Sequence, residues 1–165
     1  MKILFVCLGN ICRSQIAEGL YNNLTKSKNA SSAGTQATPE IFSNMIKEVI
    51  QVMNEENIDV KKQKVKKLTK KMVEENDEIY VLCEKSACPN YLINSKKANF
   101  IFVKDPYEHE LKVFREVRDE IKEIIKKIKN NKFYKSQFFI LSMGVEEKAK
   151  KYLEKINKED KKIKA

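Results

Sequence analysis

Residues 6–14 read VCLGNICRS. They stand between two segments of different period. Before them, Ile3-Leu4-Phe5-Val6 is an unbroken apolar run, as expected of a short strand covered on both faces. After them, Ile16, Ala17, Leu20, Tyr21 and Leu24 recur at helical spacing. The stretch is therefore a strand-to-helix turn, and it holds two of the chain's four cysteines, Cys7 and Cys12.

The alternation continues along the chain. A second strand is expected over 30–33, before Gly34. Thr38-Pro39 is a helix start, with a capping hydroxyl and then proline at the first helical position. Ile41, Phe42, Met45, Ile46, Val49, Ile50 and Met53 would form that helix's apolar face. Thr69 would cap a short helix through Met72 and Val73. Residues 79–82 (IYVL) and 100–103 (FIFV) read as buried strands. Val113, Phe114, Val117, Ile121, Ile124, Ile125 and Ile128 mark a long helix.

The order β-α-β-α-β-α-β-α predicts an α/β fold. The expectation is a three-layer sandwich, doubly wound around a four-stranded parallel sheet with flavodoxin-like strand order. Ligands of such sheets bind beyond the carboxyl ends of the strands. Three segments leave strands there: Cys7 onward, Cys83 onward, and Lys104-Asp105-Pro106. They are expected to share one rim. The expected domain is 1–130. Residues 131–165 would be a C-terminal extension with a strand (137–141), a helix (146–156) and a lysine-rich tail.

At 165 residues and 42% hydrophobic, the chain fits one globular domain. No apolar run approaches the roughly 18 residues a membrane span needs, so a cytoplasmic protein with reduced thiols is expected. The net charge of +10 admits anionic partners. Its lysines concentrate in 61–71 (KKQKVKKLTKK), which lacks the aromatics and arginines of nucleic-acid sites and reads as a solvated face. Nucleic acid is not the expected partner. Arginine occurs only at 13, 115 and 118. Arg13 is thus singled out as a planar fork rather than a generic cation. No metal or cofactor is expected: His109 is the only histidine, and a structural zinc site wants four ligands.

In the turn, backbone N–H groups from Leu8 to Ser14 would converge at a helix N-terminus, which suits an anion. Gly9 and Asn10 tolerate left-handed backbone angles, so the loop can curl. Arg13 can grip two oxygens of a tetrahedral oxyanion. Cys7 would lie at the base of that cradle, in a positive field that favours thiolate. Such a thiolate is placed for in-line attack on phosphorus. Cys7, Gly9, Asn10, Arg13 and Ser14 together point to chemistry. Cys12 alone fits packing under the helix equally well.

With these residues in view, the chain resembles the low-molecular-weight protein tyrosine phosphatases and their relatives, the thioredoxin-coupled arsenate reductases. CLGNICRS resembles the phosphatase loop, SSAGT (31–35) a segment shared by both groups, and DPY (105–107) the phosphatase acid loop. QIAEGL (15–20) and FREVRDEI (114–121) look more like the reductases. The resemblance covers about residues 1–130. It implies Cys7 as nucleophile, Arg13 as transition-state clamp and Asp105 as general acid and then base. Asn10, Ser14 and Ser32 would hold the loop and thiolate. Leu8, Gly9, Asn10, Ile11, Cys12, Ser14 and Tyr107 would bind substrate, with Tyr107 an aromatic wall. Cys12 could guard Cys7 by a reversible disulfide. The substrate would be a phosphorylated protein or a small phosphomonoester.

The runner-up is an arsenate reductase relaying oxidation from Cys7 to Cys83 and Cys88, with thioredoxin as partner. Such exchange needs accessible sulfurs. Four residues separate Cys83 and Cys88, against six in those reductases. Some of them hold a potassium ion. Asn10, Glu18 and Ser32 match that site, while the region that should supply a further acid is the lysine run 61–71. On the phosphatase side, Tyr107 is followed by Glu108 where a second tyrosine is common. A reading of another class is a non-catalytic basic module that binds anions or nucleic acid.

Overall fold

The computed structural model describes residues 1–130. The chain divides into two compact units, Met1–Ile125 and Lys126–Ala165. The parallel sheet and the loops at its carboxyl edge belong to the first. The strand and helix expected within 131–165 lie outside the described residues. Among the described residues no helix is long and apolar enough to cross a membrane.

The elements are β1 (Ile3–Cys7), α1 (Arg13–Thr25), β2 (Ala30–Gly34), α2 (Lys47–Asn54), α3 (Lys70–Glu75), β3 (Glu78–Val81), α4 (Asn90–Ile93), β4 (Ala98–Phe100) and α5 (Leu111–Lys129). The four strands pair in parallel in the order β2-β1-β3-β4. This is the α/β, flavodoxin-like sheet that the alternation predicts.

β1 is central and wholly buried, which explains its unbroken apolar sequence. Its side chains alternate between the two faces. Phe5 packs with Tyr21 of α1 at 6.0 Å and stacks on Tyr80 at 5.8 Å. Leu4 and Val6 belong to a second cluster with Ala33, Leu68, Val73, Ile79, Val81 and Leu92. On α5, Phe114, Val117, Ile121 and Ile125 are buried, the stripe its periodicity predicts. Each such side chain contributes about 1.5–3 kcal/mol of gross transfer energy. Arg118 on the same helix is buried and donates to the Val52 carbonyl at 2.9 Å and to Glu55 at 3.0 Å. Arg115 grips Glu55 as well, so two cations tie α5 to the end of α2.

Thr69 caps α3 as expected, its hydroxyl accepting from the Met72 N–H at 3.2 Å. Two expectations need correction. The helix read from Thr38 begins only at Lys47. Residues 38–42 make a single turn, with the Ile41 and Phe42 N–H groups both on the Thr38 carbonyl at 2.9 Å. Ser43 and Asn44 follow, side chains that compete with helical hydrogen bonding, and Ile41 is left 74% exposed. The last strand is earlier and shorter than 100–103, because its ladder with β3 ends at Phe100. Beyond that only single bonds continue it, from Ile101 N–H to Val81 and from Val103 N–H to Leu82. α4 carries too little apolar period to be read from sequence.

Candidate active site

The loop between β1 and α1 is held from below. Thr35 and Gln36 N–H groups donate to the carbonyls of Cys7 (3.0 Å) and Leu8 (2.8 Å). Asn10 takes the left-handed conformation, φ 55°. Gly9 does not: no glycine among the described residues has positive φ. The glycine the loop requires is Gly34. A Cβ there would meet the Leu8 carbonyl oxygen at 2.6 Å and the Asn10 nitrogen at 2.8 Å. At the start of α1, Cys12 offers no side-chain cap, so the first N–H groups of the helix are left uncapped, as an anion cradle would require.

Cys7 is 2% exposed. Its sulfur accepts from the Asn10 N–H at 3.3 Å and lies 2.9 Å from the Ser14 hydroxyl. The Asn10 amide donates to Ser14 at 2.8 Å and to Ser32 at 2.9 Å. Ser32 donates to Glu18 at 2.6 Å. The donors therefore run in a fixed order. Ser32 spends its proton on Glu18, and Asn10 spends both amide protons on hydroxyl oxygens. Ser14, accepting from Asn10, keeps its own proton free to donate to the sulfur.

Arg13 is 4% exposed and is set by backbone at the carboxyl ends of the sheet. It donates to the carbonyls of Leu82 at 3.4 Å and Val103 at 2.9 Å, and it pairs with Asp105. Its Nε–H is buried without a hydrogen-bond partner among the described residues. Asp105 also accepts the Tyr107 N–H at 3.2 Å, closing a turn that leaves Tyr107 40% exposed. A cavity of about 210 Å³ opens over these groups. Cys7, Gly9, Ile11, Arg13, Asp105 and Tyr107 line it, with Leu8 and Cys12 beside them. Asn10, Ser14 and Ser32 support the loop from beneath.

Cys12, Cys83 and Cys88 are free and buried like Cys7. Burial, then the nearby Cys7, pushes the Cys12 thiol far above the ordinary range. Burial, then Cys88 and Cys7, pushes Cys83 up to about 12. Burial raises Cys88 too, and its thiol donates to the Glu84 carbonyl at 3.5 Å. These three are held as thiols, poor nucleophiles in this conformation.

Several site residues carry no signal in the sequence. Thr38, Phe42 and Gln36 line the cavity from the segment read as helix and its approach. Gln15 donates to the carbonyls of Asn10 and Lys64 at 3.0 Å, and Gln63 donates to the Gln15 side chain at 2.7 Å. The lysine run 61–71 is also more than a solvated face. Its middle pairs with the end of β2, Gly34 donating to the Lys66 carbonyl and Leu68 to the Gly34 carbonyl, both at 2.8 Å. The Lys66 N–H donates to Asn10 Oδ1 at 2.7 Å, and Lys66 Nζ lies 3.8 Å from Glu18. The potassium site that the reductase resemblance implies does not fit these residues. An ammonium already stands against Glu18, where a cation and a further acid would be needed.

The family model described as low molecular weight phosphotyrosine protein phosphatase matches residues 2–162. An arsenate reductase of Staphylococcus saprophyticus is 34% identical over 130 residues, 77% of this chain and 95% of the relative. The crystal structure of a low molecular weight protein tyrosine phosphatase from T. tengcongensis superposes with a TM-score of 0.71 at 27% identity, covering 79% of this chain and 99% of that one. Wzb of Vibrio vulnificus, solved in complex with benzylphosphonate, gives 0.69 at 26%, covering 79% and 97%. The chain belongs to the low molecular weight phosphotyrosine protein phosphatase family of enzymes, which also takes in its arsenate reductase relatives.

Proposed function

We propose that the protein is a cysteine-dependent phosphatase that hydrolyses phosphotyrosine or a related phosphomonoester through a phosphocysteine. One observation carries the reading: Asp105 pairs with Arg13, and both line the cavity that Cys7 also lines. A thiol, a guanidinium and a carboxyl thus face one space.

Phosphoryl transfer has a loose transition state, so positioning and charge stabilisation dominate catalysis. The loop N–H groups and Arg13 would hold the three non-bridging oxygens. Cys7 attacks in line, forming the S–P bond as the ester P–O bond breaks. The bound dianion competes for the Arg13 guanidinium, and the mechanism requires Asp105 to carry a proton at this stage. Asp105 gives that proton to the leaving oxygen and then takes one from the water that hydrolyses the phosphocysteine. Two displacements replace one difficult step. Tyr107 and Phe42 would flank an aromatic leaving group.

The second reading, a reductase relay from Cys7 to Cys83 and Cys88, is favoured by the placement of Cys83 within electrostatic reach of Cys7 and by the arsenate reductase relatives. Burial of both downstream thiols weighs against it. One preparation assayed in parallel separates the two. Hydrolysis of p-nitrophenyl phosphate without arsenate-dependent oxidation of reduced thioredoxin is expected. Thioredoxin oxidation without hydrolysis would replace the phosphatase reading with the relay.

A further inference from the structure

Most of the lysine run does face solvent: Lys61, Lys62, Lys64, Lys67, Lys70 and Lys71 are exposed. Lys66 is different. Its side chain is 33% exposed and lies against Glu18, whose side chain is only 13% exposed. Its Nζ also donates to the Lys64 carbonyl at 3.0 Å. Its backbone N–H fixes Asn10 Oδ1, while its carbonyl takes the Gly34 N–H. One residue thus holds the middle and the far end of the chain Glu18–Ser32–Asn10–Ser14–Cys7.

The Glu18 carboxylate stands at one end of that chain and the Cys7 sulfur, the proposed nucleophile, at the other. Glu18 is largely buried, where an unbalanced charge is felt more strongly than in water. The Lys66 ammonium balances it and fixes where the carboxylate lies. It also keeps Glu18 an acceptor for Ser32, which sets the donor order up to the sulfur. The backbone N–H of Lys66 can only donate, so it holds the Asn10 oxygen on its own side and turns the amide N–H groups towards the two serines.

We propose that the Lys66 ammonium is the loop's resident counter-cation, a positioning residue for Cys7, standing where the reductase resemblance would place potassium. The proposal rests on Cys7 being the reacting thiol of the function proposed above. Lys66 touches no substrate and acts through Glu18. Because the cation is covalently attached, Cys7 reactivity does not depend on which alkali ion is in solution.

The test is the rate of Cys7 alkylation by iodoacetamide at neutral pH, located by mass spectrometry. It is read in potassium and in sodium chloride at equal ionic strength. Lys66→Met keeps the backbone contacts and removes the ammonium. Its rate should fall about five- to tenfold, the worth of one charge-linked hydrogen-bond network. Lys66→Arg should retain most of the wild-type rate, and Lys62→Met all of it. Wild type should react equally in the two salts. With p-nitrophenyl phosphate, Lys66→Met should lower kcat more than it raises KM. An unchanged alkylation rate in Lys66→Met overturns the proposal, as does a wild-type rate that rises in potassium. If Lys66→Met fails to fold, Lys66→Gln, which also removes the charge, and the salt comparison decide by the same criteria. Alkylation reads the sulfur whatever substrate the site takes. Its failure with hydrolysis intact therefore rejects the role of Lys66 and leaves the phosphatase reading standing.

Discussion

The Asn10 amide donates to the Ser14 hydroxyl at 2.8 Å, and that hydroxyl lies 2.9 Å from the Cys7 sulfur. Asn10 does this from a left-handed backbone, φ 55°. Two properties are therefore combined in one residue. Asn10→Ala loses both, the side-chain bonds at about 0.5–1.5 kcal/mol each and the backbone tolerance at roughly 1–2 kcal/mol. The thermal midpoint should drop and kcat should fall at least about tenfold. Asn10→Gly should recover the backbone part of the stability but not turnover. If Asn10→Gly restores both, the amide is not what holds Ser14.

Gly34 has no room for a side chain beneath the loop. The atoms a Cβ would strike belong to the backbone of residues 8–10, which cannot swing aside. Gly34→Ala should cost about 1–3 kcal/mol or more and disturb turnover with it. At Gly9 a Cβ would meet only the Ile11 side chain at 3.5 Å, and the backbone there is not left-handed. Gly9→Ala should leave the unfolding midpoint nearly unchanged. Equal midpoints for the two variants would contradict the close approach at Gly34.

Cys83 gives a pH signature. Burial and its thiol neighbours raise it from 9.0 to about 12 in the folded state. Between those values the unfolded chain has released the proton and the native chain has not. Its stabilising contribution is thus complete below about pH 9 and is lost progressively towards pH 12, by at most about 1.4 kcal/mol per pH unit. Urea midpoints measured from pH 8 to 10.5 should fall less steeply in Cys83→Ala than in wild type. Parallel slopes would mean that Cys83 is not held as a buried thiol.

Asp105 pairs with Arg13 and is the carboxylate that lines the cavity. If it protonates the leaving oxygen, Asp105→Asn should slow poor leaving groups most. A phenyl phosphate series should show loss of about 100-fold or more for basic phenols and far less for acidic ones. A uniform loss across the series would assign Asp105 to orienting Arg13 alone.

How much of this is legible in the sequence depends on how local the cause is. Cys7 to Ser14 are contiguous, and the apolar run before them and the helical period after them place the loop without reference to anything distant. The convergence of Cys83 and Asp105 with Cys7 follows from a property of parallel sheets, that segments leaving carboxyl ends share a rim. The structure shows it in the Leu82 and Val103 carbonyls that hold Arg13. Lys66 is not legible, because its value comes from contacts to Asn10 and Glu18, 56 and 48 positions away. In sequence it is one lysine among many. Gly34 is visible as a glycine, but the need for it lies in a backbone approach that no local pattern records. The helix expected from Thr38 fails for the opposite reason. Its apolar spacing is real, yet Phe42 serves the cavity rather than a helix face.

The decisive measurement is p-nitrophenyl phosphate hydrolysis by Cys7→Ser beside wild type, with equal folding verified by thermal midpoint. Loss of turnover to background in Cys7→Ser is predicted, together with a trapped phosphoenzyme in the wild type on rapid acid quench. Full activity in Cys7→Ser would contradict the phosphocysteine mechanism outright.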